Sequence, residues 1–378
     1  MQISNRNLFR ITRFLIFRLP PLFRFIAKFR TPKKRLLIIK TDAIGDYILF
    51  RNFIEVVGNS ELFKDYEIHF LGNVLWQDLA QQYDQQFVNG FIFINSEALY
   101  DAPIRTFKLG VRLFVNNYAA VLHPTFSRTF ITTGMATLTG AKKIIGFSGN
   151  TERIREDYKR KTDKFYTQLL DLPPTIYSEF ERSRFFFETV LGQPIPINGP
   201  ELPVEVSNKN GIVIFPGSGV VKRSWEPDKF LALLQLILQN TTQSIYLAGS
   251  DAEVDLCSYL AKDLPEDRIH NLAGKTSLTQ LVSLIANANL LISNETSAIH
   301  IAAATNTKSV CILGGGHFNR FLPYQDGAEN KPLCVYHEME CYNCDWNCKF
   351  ITNENDPYPC ISAISVESVW DQTINLPG

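Results

Sequence analysis

Leu290–Ala304 reads LLISNETSAIHIAAA. An apolar strand runs into a polar turn, Asn294-Glu295-Thr296-Ser297, and a helix of small residues follows that carries His300 one turn in. The first backbone N–H groups of a helix lack intrahelical acceptors and carry partial positive charge, so with nearby hydroxyls such a turn seats a phosphate or diphosphate. An ordinary capped helix after a strand has the same pattern, and the ligand reading gains weight from a second turn upstream.

That second turn lies in Gly211–Phe230, GIVIFPGSGVVKRSWEPDKF. The strand ends at Pro216, the Gly217-Ser218-Gly219 turn lets the backbone approach a ligand, and Lys222 and Arg223 follow within reach of negative charge. Trp225 and Pro227 open a helix that ends near Gln239. There is no G-x-x-x-x-G-K-[ST] loop and no G-x-G-x-x-G after an early strand, which argues against a P-loop NTPase and a nicotinamide dehydrogenase. A third element, Leu36–Phe50, reads LLIIKTDAIGDYILF: an apolar, parallel-type strand to Lys40, a turn through Asp42 and Asp46, and a helix beginning near Tyr47. Either aspartate serves as a helix cap or, for Asp46, as a general base.

Between the motifs, strands at Glu67–Leu71, Phe91–Ile94, Ala120–His123, Lys143–Gly146, Ser244–Leu247 and Ser309–Leu313 alternate with helical stretches such as Lys229–Gln239 and Leu278–Ala288. This predicts an α/β protein with two parallel sheets. Leu191–Val206 holds four prolines and two glycines and reads as an interdomain linker. Gly314-Gly315-Gly316 gives a ligand backbone access or forms a plain loop. The expected division is a basic arm over 1–35, a first α/β domain over 36–195, a second over 205–355, and a C-terminal helix over 356–378 with Val366 capped by Ser365.

KTDAIGD, the PGSG turn with Lys222 and Trp225, and SNETSAIH resemble, in order and spacing, the motifs of glycosyltransferase family 9, the bacterial heptosyltransferases of lipopolysaccharide core synthesis. The similarity runs from about Leu36 to the C-terminus. The resemblance implies a GT-B fold, two Rossmann-like domains facing a cleft, with the last helix returning to the first domain. It also implies inverting, metal-independent transfer of a heptose or related sugar from a nucleotide-diphosphate donor, ADP-heptose or another, with no cofactor. Asp46 would be the base, and Ser218, Gly219, Lys222, Glu295, Thr296, Ser297 and His300 would bind the donor. The acceptor, taken by the 36–195 domain while 205–355 holds the nucleotide sugar, would be a lipid-linked or lipopolysaccharide-core glycan on the cytoplasmic side of a bacterial inner membrane, met by a basic region for which Arg153, Arg155, Lys159, Arg160 and Lys161 are candidates, though such a mixed-charge run also reads as a solvated helix. His123 and Arg128 follow a strand where an acceptor could bind, while a satisfied structural role is the commoner one for such a histidine. Glu295 stands where the family usually has aspartate, Ser297 where it has glycine, and Gly217 where it has a hydroxyl, which leaves the donor open. An inactive nucleotide-sugar-binding scaffold and an epimerase or hydrolase of the same donor are the alternatives.

The chain has 378 residues, 45% hydrophobic, enough for two cores. Its formal charge is zero, yet residues 1–35 hold ten basic side chains and no acid, leaving a body with a net charge of −10. The arm interleaves arginines with Phe9, Phe14, Phe17, Phe23, Phe25 and Phe29. Its apolar runs are too short to span a bilayer, and the pattern predicts contact with an anionic membrane surface, Pro20-Pro21 splitting it into two short helices. The other readings are a helix packed on the protein's own surface and an organellar transit peptide. Nucleic acid is disfavoured because the acidic body repels phosphate. Five of seven cysteines fall between residues 334 and 360, and Cys341, Cys344, Cys348 and Cys360 have spacing that suits a structural metal as well as plain thiols or disulfides.

Overall fold

The structure, a computed structural model, describes residues 4–374 apart from 326, 329 and 351. It forms two compact units: Met1–Ile176 with Glu181–Pro196, and Tyr177–Phe180 with Ile197–Gly378. The break falls inside a stretch, Gly192 to Asn210, that holds neither helix nor strand.

The first unit runs α1 (Arg6–Ala27), β1 (Lys33–Ile39), α2 (Ile44–Phe50), α3 (Asn52–Gly58), β2 (Glu67–Asn73), α4 (Gln77–Tyr83), β3 (Gly90–Ile94), α5 (Pro103–Asn116), β4 (Tyr118–His123), α6 (Phe130–Leu138), β5 (Lys143–Phe147), α7 (Glu156–Asp163), β6 (Gln168–Leu170) and α8 (Glu179–Leu191). Its six strands pair in parallel in the order β3-β2-β1-β4-β5-β6. Leu36–Ile39 are wholly buried because helices cover both faces of the sheet, which is why β1 reads as an unbroken apolar run.

Residues 6–27 form one helix that continues through Pro20 and Pro21, not two. Two N–H groups are lost, but the φ that proline imposes suits a helix. One face, Phe9, Thr12, Ile16, Pro20, Phe23 and Ala27, is buried against α5 and α6, and that burial outweighs the missing bonds. Ile16 fits so closely over Gly134 that a Cβ there would lie 2.7 Å from its Cδ1. No described helix is long and apolar enough to cross a membrane. The next helix also begins earlier than expected: α2 starts at Ile44, which puts Asp46 in its first turn.

The second unit runs β7 (Ile212–Phe215), α9 (Pro227–Asn240), β8 (Ile245–Leu247), α10 (Val254–Ala261), β9 (Ile269–Asn271), α11 (Leu278–Ala286), β10 (Leu290–Asn294), α12 (Ser297–Ala304), β11 (Ser309–Ile312), β12 (Leu333–Val335), α13 (Pro359–Ser362) and α14 (Val366–Ile374). The order β12-β11-β10-β7-β8-β9, again all parallel, repeats the winding of the first sheet. In a doubly wound sheet, ligands sit beyond the strand carboxyl ends where the winding reverses. Those points lie between β1 and β4 and between β7 and β10, where the three motifs fall.

The Ser365 hydroxyl accepts the Ser368 N–H at 3.1 Å and caps α14. The expectation that 356–378 head for the first domain meets a different placement. Buried Val369, with Trp370 beside it, packs α14 onto α9, β11 and β12 of its own unit, the apolar face finding its cover locally. Residues 375–378 lie outside the described part.

Candidate functional site

The second unit's turns are laced together by Asn294, which is fully buried at the end of β10. Its amide donates to the Pro216 carbonyl at 2.6 Å and its oxygen accepts the Trp225 N–H at 3.0 Å, so the turn after β7 is held by the strand before α12. Gly217 has no room for a side chain: a Cβ would sit 2.3 Å from Glu253 Cγ. The side chain of Glu253, its carboxylate accepting the Ser250 N–H at 2.8 Å, fills that space. Gly219 turns the chain with φ +64°, a conformation costly for other residues. The Ser218 hydroxyl lies 2.6 Å from the Val220 carbonyl and 2.7 Å from the Ser224 hydroxyl.

Lys222 donates to the Thr352 hydroxyl at 3.1 Å and lies 5.9 Å from the Tyr358 ring centre; among the described residues no carboxylate pairs with it. Arg223 stacks 4.4 Å over Trp346, its Nε without an acceptor, and burial lowers its pKa while Glu295 pulls the other way. On α12, Thr296 is the N-cap, accepting the Ala298 N–H at 3.2 Å, and Ser297 opens the helix. Glu295 Oε2 is buried with no hydrogen-bond partner, although the residue keeps some exposed surface. Burial pushes this carboxyl up to about 8 against the partial pull of Arg223, so it is protonated at neutral pH. His300 is buried, lies 2.7 Å from the Tyr324 hydroxyl, and is lowered to about 4, a neutral ring. These residues therefore gather one lysine, one arginine, a helix N-terminus and an uncharged acid, a net positive seat.

In the first unit the end of β1 holds a buried ion pair, Lys40 Nζ to Asp42 at 3.0 Å. Asp42 also accepts from Thr125 at 3.2 Å and Arg153 at 3.4 Å, while Asn73 and Trp76 donate to its backbone carbonyl. Burial would raise its pKa, but Lys40 and Arg153 together hold it below the usual carboxylate value. It is a strut, and it does not cap α2: Ala43 occupies the N-cap with no side-chain bond. Asp46, half-buried in the first turn of α2, is left as the motif's second carboxylate.

Of the expected acceptor residues, His123 is fully buried at the end of β4, bonded to the Tyr166 hydroxyl at 2.7 Å and lowered to about 3 by burial, with Arg128 and Lys40 adding to it and Asp42 opposing. Arg128, 1% exposed, binds Asp163 at 2.7 Å and the Ser148 carbonyl at 3.2 Å. Arg128 is a buried charge held by its nearby partner, and His123 a buried neutral ring; His123 Nε2 and Arg128 Nε and Nη1 are buried without a hydrogen-bond partner. Arg153 keeps 45% of its side chain exposed beside Asp42; Arg155 is bound to Asp157 at 2.9 Å. Lys159 is tied to Asp163 at 2.7 Å.

The glycine run 314–316 is not open to a ligand. Trp346 lies over Gly314 and Gly316, and Tyr342 over Gly315, because the loop around the cysteines folds back on it through Asn343 and Asp345 N–H bonds. Cys341, Cys344, Cys348 and Cys360 line one small pocket as free thiols, and burial, then its three neighbours, raises Cys360. Among the described residues no three or more His, Cys, Asp or Glu side chains are gathered to hold a metal. Sequence spacing gave no signal for Glu253, Tyr324 or Thr352 as partners, because each reaches its site from a distant or separately read segment; Lys40 lies inside the first motif, two residues from the Asp42 it pairs with.

Two doubly wound α/β units with phosphate-seating turns define the GT-B class, and solved structures share it. The structure of the Escherichia coli ADP-heptose lipopolysaccharide heptosyltransferase II is similar over 90% of this chain and 97% of its own (TM-score 0.67, 17% identity). The glycosyl transferase family 9 structure from Veillonella parvula is similar over 91% and 97% (TM-score 0.67, 18% identity). The signature of glycosyltransferase family 9 (heptosyltransferase) matches residues 135–347, more than half of the chain, which belongs to this family. Lipooligosaccharide heptosyltransferase 2 of Campylobacter jejuni is 25% identical over 204 residues, 51% of this chain and 61% of that protein. The chain thus spans under two thirds of that relative's length.

Proposed function

We propose that the protein is an inverting glycosyltransferase that moves a heptose or related sugar from a nucleotide-diphosphate donor, ADP-heptose by the names of its relatives, to a lipopolysaccharide-core or similar lipid-linked glycan. The observation that carries this is the lacing of the Gly217–Lys222 turn to the N-terminus of α12 through Asn294 at a switch point, with surplus positive charge. A diphosphate held there leaves with added negative charge, which Lys222, Arg223, the Thr296 and Ser218 hydroxyls and the helix N–H groups stabilise. The acceptor hydroxyl attacks C1 of the sugar as its proton passes to the Asp46 carboxylate. The new O–C1 bond forms while the C1–phosphate oxygen bond breaks, with inversion. Neither strand-end turn of this donor site carries a D-x-D pair, and Lys222 and Arg223 supply the positive charge, in favour of transfer without a metal.

The exposed apolar and basic face of α1, with Phe14 60% and Phe25 56% exposed, supports a place on the inner face of a bacterial inner membrane, beside a lipid-linked acceptor. Asp46→Asn should lower kcat by about 100-fold or more while leaving ADP binding within about two-fold. Lys222→Ala should weaken ADP binding. Radiolabelled transfer and calorimetry read the two separately, and near-normal turnover of Asp46→Asn overturns the base assignment.

A further inference from the structure

Between α1 and α7 lies an open groove of about 380 Å³ lined by Arg10, Arg13, Arg18 and Lys161 with Phe14 and Phe17. Tyr158, buried and also in its wall, holds Arg13 through its hydroxyl at 3.0 Å. Phe17, packed edge-on to Phe130 and Tyr158, carries Lys161 5.1 Å over its ring. Two of the four cations are thus oriented by aromatic rings. The one carboxylate in the lining, Asp157, is engaged by Arg155 at 2.9 and 3.3 Å. Four cations sharing one groove repel one another, and an anion placed among them relieves that cost.

The surroundings say what kind of anion. Phe14 stands at the groove 60% exposed. Along the same helix Ile11, Leu22 and Phe25 are exposed as well, and so is Phe29 just past its end. Beside it α5 shows Ile104 and Phe107 with Arg105 and Lys108, and neither helix contains an acid. A soluble anion has no use for this apolar margin, whereas a headgroup whose acyl chains lie beside it does. The groove is also of the size that small-molecule sites have, larger than bare phosphate requires.

We propose that this groove seats the phosphate of an anionic lipid headgroup, so that the protein reads phosphate-bearing lipid and not merely negative surface charge. The inference rests on the membrane placement proposed above. The test is co-sedimentation of the full chain with phosphatidylcholine vesicles containing phosphatidylglycerol or, at matched surface charge, phosphatidic acid, whose phosphomonoester is open to several donors. The native protein should bind both and prefer phosphatidic acid by about five-fold or more, the worth of one well-placed cation. Arg18→Gln with Lys161→Gln should abolish that preference. The charge-matched pair Arg105→Gln with Lys108→Gln should weaken both vesicles alike and keep it. Arg18 and Lys161 are exposed, and an unchanged Tm shows that the variant is folded. Equal losses from the two pairs, or no preference in the native protein, overturn the headgroup site while leaving membrane binding intact. Binding to neither vesicle overturns the membrane placement itself. Thermal stabilisation by inorganic phosphate alone, lost in the Arg18/Lys161 variant, reassigns the groove to a soluble anion and overturns the lipid.

Discussion

Glu295→Gln isolates the most perturbed acid of the donor site. The folded carboxyl keeps its proton to about pH 8, while the unfolded one loses it near 4.5. Between those values the folded chain binds the extra proton, so stability falls as pH rises, by about 1.4 kcal/mol per pH unit. Across the window this amounts to a loss on the order of 5 kcal/mol. Glutamine keeps the shape and cannot ionise, so its curve lacks this slope. His123 and His300, lowered to about 3 and about 4, act oppositely: their unfolded forms take up protons below pH 6.5, so stability rises with pH up to that point in both proteins. The difference between wild type and variant cancels that contribution. Urea unfolding of both proteins at pH 5, 6, 7 and 8 measures it, and the variant should gain on the wild type steadily. ADP affinity gives a second reading: above pH 8 an ionised Glu295 beside the diphosphate should weaken binding in the wild type alone. Parallel stability curves from pH 5 to 8 would refute the assignment of a buried, protonated carboxyl.

Asn294→Ala strips buried partners from the Trp225 N–H and the Pro216 carbonyl, at about 1–3 kcal/mol each, and should lower the Tm measured by scanning calorimetry with loss of ADP binding. Gly217→Ala drives a Cβ into Glu253 and should cost about 1–3 kcal/mol; in a Glu253→Ala background the same change should cost at least about 1 kcal/mol less by urea unfolding. Ile16→Ala should cost about 2–5 kcal/mol, since α1 is part of the first core, whereas a helix merely laid on the surface would barely change stability.

What was legible in the sequence was local. Strand, turn and helix succeed one another within about fifteen residues at Leu36, Gly211 and Leu290, and the apolar runs of β1, β7 and β10 announce strands covered on both faces, so two parallel sheets followed. What was not legible depends on contacts across many residues. Pro20-Pro21 reads as a break because proline's local cost is visible and the compensating contacts of Ile16 and Phe23 with distant helices are not. The glycine run at 314–316 reads as an open loop because nothing in its spacing reveals that Trp346 and Tyr342 will lie upon it. A lone histidine after a strand reads first as structural, and His123 is buried against Tyr166 as that reading has it; the burial of Arg128 is not legible, because its partner Asp163 lies some thirty-five residues on.

The two switch points spend charge differently, and the proposed reaction explains the difference. At the first, the cations have carboxylate partners: Lys40 and Arg153 on Asp42, and Arg128 on Asp163. Lys40 and Arg153 brace Asp42 at the end of β1, Arg128 is held at Asp163, and a base is served by cations that are already paired, since a surplus of positive charge would lower its basicity. At the second, Lys222 meets a hydroxyl and a ring, Arg223 a ring, and the acid nearest to Arg223 is held uncharged by burial. Surplus positive charge at that end of the sheet is what a departing diphosphate requires. An ionised acid beside Arg223 would cancel part of it. In the proposed reaction Glu295, its Oε2 buried without a hydrogen-bond partner and its carboxyl kept protonated by burial, leaves the arginine's charge for the leaving group.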